Sequence, residues 1–334
     1  MNDHEALMRR AMSMADTARV VARPNPWVGA VIVCLDGSIF EGATQSPGNA
    51  HAEVMAIGAA RAAGASTVGA TLYCTLEPCS HIGRTGPCTQ AIIDAGITHV
   101  VAGITDPDGR VAGAGFAALR TAGIDVDEGI CAEEIGTQLG AYLHHRRTGR
   151  PFVVLKMATT LDARSFLPNG PRWLTGESAR TQVHRLRAES DAIVVGIGTV
   201  LADDPELTVR HVDGPSPQRI VLSRTQQVST TAQVQPCTTW HGDIEELLDT
   251  LGAQGVLQLL VEGGPTIASA FHDRNLIDRY VFHIAPMISG DADALGVFTG
   301  VNTDLHHCNI VSVTQYDNDI EIVMKPQKMK VDAL

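Results

Sequence analysis

Short apolar runs rich in valine and isoleucine alternate with amphipathic stretches along this chain, and the alternation stops once and starts again. The first series opens with "VGAVIVCLDGSIFEGA" (residues 28–43), two strands joined by a hairpin at Asp36-Gly37. A helix from about His51 to Ala63 follows, then strand "ATLYCTL", a helix from about Cys88 to Asp94, strand "THVVAGI", a helix near Gly113 to Thr121, strand "IDVDEG" and a helix over roughly Cys131 to Arg147. The break is "RRTGRP", whose basic, Gly and Pro content marks a boundary. From Pro151 the second series runs through strand "FVVLKMA", a helix near Glu177 to Ala188, strands "DAIVVGI" and "QRIVLS", a helix near Asp243 to Leu251, strand "VLQLLVE", a helix after Gly264 and strand "RYVFHIAP". Each series can close its own α/β layer, so the chain reads as two α/β domains, residues 1–148 and 149–334. The stretch from about Val212 to Trp240, rich in Ser, Thr, Gln and Pro, reads as the least ordered part.

Composition removes several classes of function. The N-terminal "MNDHEALMRRAMSMADTARVV" mixes acids and bases and reads as an amphipathic helix, not a signal peptide. No segment approaches the roughly 20 apolar residues of a membrane span, so a cytoplasmic protein without a membrane partner is expected. A net charge of −12 disfavours a polynucleotide ligand, while small anions remain open to locally placed arginines. Seven cysteines, an odd number widely spaced in a large chain, argue against a disulfide framework and leave metal binding or buried thiols.

"LEPCSHIGRTGPC", residues 76–88, decides between those two when it is set beside "HAEV" at 51–54. A catalytic zinc takes three nitrogen or sulfur ligands from the protein and keeps its fourth position open. A histidine and a glutamate two apart at a helix start, then Pro-Cys and a further Cys before a second helix, is the pattern of zinc-dependent base deaminases. The ligands expected are His51, Cys79 and Cys88, for one Zn2+ per chain, with Glu53 as the proton shuttle. Cysteines at helix N-termini are readily held as thiolates. Cys34, Cys74, Cys131, Cys237 and Cys308 read as core thiols, and His81 as a loop residue.

"PNPWVGAVIV", "HAEV", "LEPCSHIGRTGPC" and "DPDGRVAGAG" resemble the deaminase half of the bifunctional riboflavin-biosynthesis enzymes, diaminohydroxyphosphoribosylaminopyrimidine deaminase/5-amino-6-(5-phosphoribosylamino)uracil reductase. Eight residues separate the two cysteines here, against the two common in nucleoside and nucleic-acid deaminases. The resemblance implies a cytidine-deaminase-like α/β/α domain, with Arg84 of the long loop reaching the substrate's ribose phosphate and Asn25 contacting the substrate.

"KMATTLDAR", "RWLTG", "HRLRAESDAIVVGIGTVLADDPELTVR" and "VEGGPTIASAF" resemble the reductase half of the same family, which implies a dihydrofolate-reductase-like α/β domain using NADPH. "GIGTVL" alone is weak, because Leu201 stands where a dinucleotide fingerprint has its third glycine. The order of motifs carries the resemblance. By match it places Ala158, Trp173, Thr199, Asp203 and the run Gly264, Pro265, Thr266, Ile267, Ala268, Ser269 and Ala270 on the cofactor. It places Arg187, Leu207, Arg210 and Glu262 on the substrate, with the two arginines at its phosphate, and Lys156 near a ribose or substrate hydroxyl. Three departures weaken single contacts: Ala163 replaces a glycine, Pro171 a serine and Ser223 an aspartate. The function implied is deamination of 2,5-diamino-6-(5-phosphoribosylamino)pyrimidin-4(3H)-one followed by reduction of its ribosyl group, in a homo-oligomer (dimer or tetramer). Two other readings are a nucleoside or tRNA deaminase fused to an unrelated domain, and a non-catalytic zinc- and NADPH-binding regulator. The first is opposed by the acidic charge and the long cysteine loop, the second by Glu53, which a structural zinc does not need.

Overall fold

The computed structural model describes residues 3–81, 86–109, 112–299 and 305–327, and the chain divides into two compact units, Met1–Gly149 and Arg150–Leu334.

Unit 1 runs α1 (Asp3–Ala18), β1 (Gly29–Val33), β2 (Ile39–Ala43), α2 (Ala52–Ala62), β3 (Thr71–Leu76), α3 (Cys88–Asp94), β4 (His99–Ile104), α4 (Ala114–Thr121), β5 (Asp125–Glu128), α5 (Ala132–Gln138) and α6 (Gly140–Thr148). Its five strands form one sheet in the order β2-β1-β3-β4-β5. The β1–β2 hairpin turns at Asp36-Gly37 as its sequence requires, with Gly37 at φ +85°. β3, β4 and β5 are parallel, so their carboxyl ends share one edge of the sheet. α2 and α3 begin at His51 and Pro87, the residues preceding their first turns, which places motif residues at helix starts. The single helix expected over Cys131–Arg147 is two helices broken at Leu139-Gly140. The break lies at Leu139, whose φ −87° and ψ 11° leave the helical region.

Unit 2 runs β6 (Phe152–Thr160), β7 (Arg164–Phe166), α7 (Glu177–Ala188), β8 (Ala192–Gly196), α8 (Ile197–Asp203), β9 (Gln218–Leu222), β10 (Thr238–Trp240), α9 (Ile244–Ala253), β11 (Gln258–Val261), α10 (Pro265–His272), β12 (Arg279–Ala285), β13 (Leu295–Gly296), β14 (Cys308–Tyr316) and β15 (Asp319–Pro326). Eight strands form the main sheet in the order β10-β9-β8-β11-β6-β12-β15-β14, parallel except at β15 and its two neighbours. The central strands are buried on both faces: Val153, Leu155, Val194 and Leu259 enter one core and Val154, Ile193, Val195 and Leu260 the other. That two-sided burial is why these strands read as continuous apolar runs.

The polar segment 212–240 is better anchored than its composition implies. Val228 and Val234 are buried in the second core, and the Gln233 amide N–H donates to Asp204 Oδ1 at 2.8 Å. No described helix is long and apolar enough to cross a membrane.

Candidate active sites

In unit 1, β3 ends at Leu76 and delivers Cys79, while α2 and α3 present His51 and Cys88 at their first turns. The three ligand atoms lie within 4.8 Å of one another, the only such group of three or more metal-ligating side chains among the described residues. His51 Nδ1 stands 3.6 Å from Cys79 Sγ and 3.3 Å from Cys88 Sγ. Tetrahedral zinc, with Zn–N near 2.0 Å and Zn–S near 2.3 Å, sets such atoms about 3.6 Å apart. The donor set therefore fits zinc in both chemistry and spacing.

Electrostatics agree with the geometry. Cys79 is drawn down to about 4, chiefly by the hydrogen bond from the Cys88 thiol, with His51 and the Cys88 N–H adding to it against burial. Cys88 is pushed up by that same bond to Cys79 and by burial. The pair thus gives up its first proton easily, and only a cation can take the place of the second. Glu53 is 3 % exposed, and burial followed by the Cys79 charge raises its carboxyl. A carboxyl raised in this way is suited to accept and return a proton near neutral pH. Asn25 is half-buried in the loop leading to β1. Arg84 lies outside the described residues.

Unit 2 holds a cavity of about 1200 Å³. It opens where β6, β8, β9 and β11 end, the edge at which parallel sheets bind ligands. Of the expected residues, Lys156, Ala158, Trp173, Arg187, Thr199, Asp203, Arg210, Glu262, Gly264, Pro265, Thr266, Ile267 and Ala270 line it. Ala268 turns into the core, and Ser269 is buried with its hydroxyl accepting the Thr299 N–H. The run 264–270 is helical from Pro265, so its residues cannot all face one side. Leu207 is 2 % exposed, packs in the core and sits at φ +56°, so what it can offer a ligand is backbone.

The floor of the cavity is a charge cluster. Glu262 accepts Arg187 Nε at 2.7 Å and Nη2 at 2.8 Å, and Arg187 Nη1 donates to the Thr208 carbonyl. Burial, with the Arg187 charge added, lowers the Lys156 ammonium while Glu262 opposes the shift. Arg210 is exposed and donates to Glu206 and Thr208. The cavity fits a dinucleotide: α8 and α10 start at its rim, and a Cβ on Gly264 would meet nothing nearer than Thr199 Oγ1 at 3.6 Å.

Residues that sequence reasoning passed over also line the cavity, among them His184, Arg224 and His241. His184 opens the matched "HRLR" but carries no signal of its own, since its role depends on its Nδ1 accepting the Arg210 N–H at 3.1 Å. Ala163 adopts φ +59°, the left-handed region in which glycine is at ease, which accounts for the glycine that the resemblance implies at this position.

Comparison with known proteins matches each unit to a family model. The model of the cytidine and deoxycytidylate deaminase zinc-binding region matches residues 1–104, and that of the RibD C-terminal domain matches residues 151–322. The riboflavin biosynthesis protein RibD of Escherichia coli K12 is 39% identical over 337 residues, covering 88% of this chain and 90% of its own. The chain belongs to the RibD family. The Mycobacterium tuberculosis RibD is 40% identical across 89% of this chain and 87% of its own. Among solved structures, Acinetobacter baumannii RibD superposes with a TM-score of 0.89 at 33% identity, over 97% of this chain and 99% of that one. The deaminase/reductase of Thermotoga maritima does so at 0.88 and 35%, over the same shares. RibD membership assigns unit 1 to the cytidine-deaminase-like fold and unit 2 to the dihydrofolate-reductase-like reductase fold.

Proposed function

We propose that this RibD-family chain deaminates 2,5-diamino-6-(5-phosphoribosylamino)pyrimidin-4(3H)-one in unit 1 and reduces the ribosyl group of the product to ribityl in unit 2, giving 5-amino-6-(5-phosphoribitylamino)uracil. The observation that carries this is the convergence of His51, Cys79 and Cys88 beside a buried Glu53. When bound, zinc supplies Lewis acidity in unit 1 and NADPH the reducing equivalent in unit 2. Glu53 takes a proton from the attacking water and gives it to the ring nitrogen, then takes the second proton from the hydroxyl so formed and gives it to the amino group, which leaves as ammonia as the carbonyl forms. In unit 2, Lys156 and the Arg187–Glu262 pair line the part of the cavity where the sugar is to be held, and Arg210 at the exposed rim is placed for its phosphate. Arg187 already spends its fork on Glu262, which supports a role in fixing that carboxylate as well as in meeting the substrate. Ser223 and Arg224 at the end of β9, with no acid there, suit a cofactor carrying a 2′-phosphate.

We also infer a homo-oligomer, because β14 is an edge strand whose Ile310, Val311 and Val313 are exposed. All seven cysteines are free, which supports a cytoplasmic compartment.

Metal analysis and one coupled assay test the main reading. The purified chain should carry about one zinc per chain and convert the pyrimidine substrate with release of ammonia and consumption of NADPH, and Cys79→Ser or Cys88→Ser should lose zinc and deamination together. Full zinc in both variants, or turnover of cytidine or tRNA in place of the pyrimidine phosphate, would overturn it. Light scattering giving a monomer would remove the oligomer.

A further inference from the structure

Glu77 is the first residue after β3 and lies two positions before the proposed ligand Cys79. It is 4 % exposed and is not one of the three grouped metal-ligating side chains. Instead it accepts three backbone N–H groups. Oε2 takes those of Asp106 at 3.2 Å and Gly113 at 2.9 Å, and Oε1 takes that of Gly115 at 2.8 Å. Gly113 and Gly115 stand at the start of α4, where the first N–H groups lack partners within the helix and no side chain of the helix's own caps them. A buried carboxylate there is a strong acceptor, favoured by the helix dipole.

The contact is close as well as polar. A Cβ on Gly115 would lie 2.0 Å from the Pro78 carbonyl oxygen, so α4 rests directly on the peptide that leads into Cys79. The Glu77 N–H in turn donates to the Ile104 carbonyl at 2.9 Å. Downstream, the Cys79 carbonyl accepts the Thr89 N–H at 3.2 Å and its sulfur the Cys88 N–H at 3.4 Å. Cys79 is therefore fastened to α3 on one side and, through Glu77, to α4 on the other.

We propose that Glu77 is a positioning residue of the deaminase site: its three N–H bonds fix Pro78 and Cys79 against α4 and so preset the Cys79 sulfur at its spacing from His51 and Cys88. The inference rests on the zinc reading of that site. Groups that orient metal ligands typically contribute about 10- to 100-fold in affinity.

Glu77→Ala and Glu77→Gln in the full-length chain test it, with zinc affinity read by competition against a chromophoric chelator and amide exchange followed at Gly113 and Gly115. Glu77→Ala should weaken zinc about 10- to 100-fold and speed exchange at both amides, and deamination should return to within a few-fold of normal once zinc is saturating. Glu77→Gln should fall between, because one carbonyl oxygen remains. Amide-exchange protection along β1, β3 and β4 reports whether unit 1 is folded, and where Glu77→Ala fails that check Glu77→Gln carries the same criteria. Unchanged zinc affinity with both amides deprotected would overturn the proposal, as would deamination that zinc does not restore. A wild-type chain that takes up no zinc would refute the parent reading instead.

Discussion

Arg187 and Glu262 meet in two parallel bonds of 2.7 and 2.8 Å across 75 residues of sequence, with both side chains only about a tenth exposed. The pair joins α7 to the end of β11, and Lys156 adds a second cation that Glu262 helps to neutralise. Removing one member of a buried pair leaves its partner's charge uncompensated, which costs about 3–5 kcal/mol. Glu262→Ala should therefore destabilise unit 2 by about 3 kcal/mol or more, and Glu262→Gln by less because it still accepts a bond. Urea unfolding followed at Trp173 and Trp240 measures this. A Glu262→Ala midpoint matching wild type would mean that solvent reaches the pair and supplies what the carboxylate now does.

Glu53 is buried and its carboxyl raised, while its charge is not needed to complete the ligand set. Glu53→Gln is close in shape and should retain zinc, yet slow deamination by on the order of 10² or more, the scale of a general acid/base group. Metal content and single-turnover ammonia release on the same preparation separate the two effects. Turnover near normal would assign proton transfer to another group.

Ala163 holds a left-handed conformation, at φ +59°, in the turn between β6 and β7. Alanine there carries a strain of about 1–2 kcal/mol that glycine avoids, against about 0.5–1 kcal/mol for glycine's extra freedom in the unfolded chain. Ala163→Gly should raise the stability of unit 2 by about 0.5–1 kcal/mol. A lower melting temperature would show that the turn relaxes without help.

His184 links unit 2 to pH. Its ring is enclosed, its Nδ1 accepts the Arg210 N–H, and it faces the His211 ring at 4.4 Å along with the charges of Arg187, Arg210 and Glu262. Burial first, then the Arg187 and His211 charges, lower it to about 4, from an ordinary value of 6.5. The unfolded chain therefore takes up this proton at a higher pH than the folded one. Its contribution is whole above pH 6.5 and is lost progressively as pH falls toward about 4. Urea midpoints of unit 2 between pH 7 and 4.5 should fall more steeply in wild type than in His184→Gln, whose carbonyl keeps an acceptor without titrating. Parallel profiles would remove His184 as the cause.

What could be read from the sequence follows from which signals are local. The β1–β2 hairpin is announced by Asp36-Gly37, and the starts of α2 and α3 by motifs whose residues act at helix N-termini. The proposed zinc ligands are legible because one histidine and two cysteines stand in a recognisable spacing beside an acid. By contrast the β14–β15 hairpin carries no clean alternation, since most of β14 is exposed on both faces. Leu139-Gly140 divides a helix whose apolar period continues through the break. The work of Glu77 and His184 rests on backbone N–H groups distant in sequence, which no motif records.

The final prediction is that the two activities separate at the "RRTGRP" boundary. α6 has its anchors within unit 1: Ala141, Tyr142 and Leu143 are buried, and the Tyr142 hydroxyl donates to the Asp106 carboxylate at 3.0 Å. Gly149 closes α6 in a left-handed cap, its N–H donating to the His145 carbonyl at 2.8 Å. Arg150 turns to its own unit, where it pairs with Asp249 at 2.6 Å. A cut after Gly149 thus keeps the helix cap on one fragment and the ion pair on the other, and each fragment retains every residue assigned to its own reaction. Residues 1–149 should bind zinc and release ammonia without NADPH, and residues 150–334 should reduce the deaminated substrate without zinc. The check is to express both fragments and assay each step alone and after mixing. Folded fragments that are inactive apart and recover both steps on mixing would mean that a site is shared, and the account of two self-sufficient units would fail.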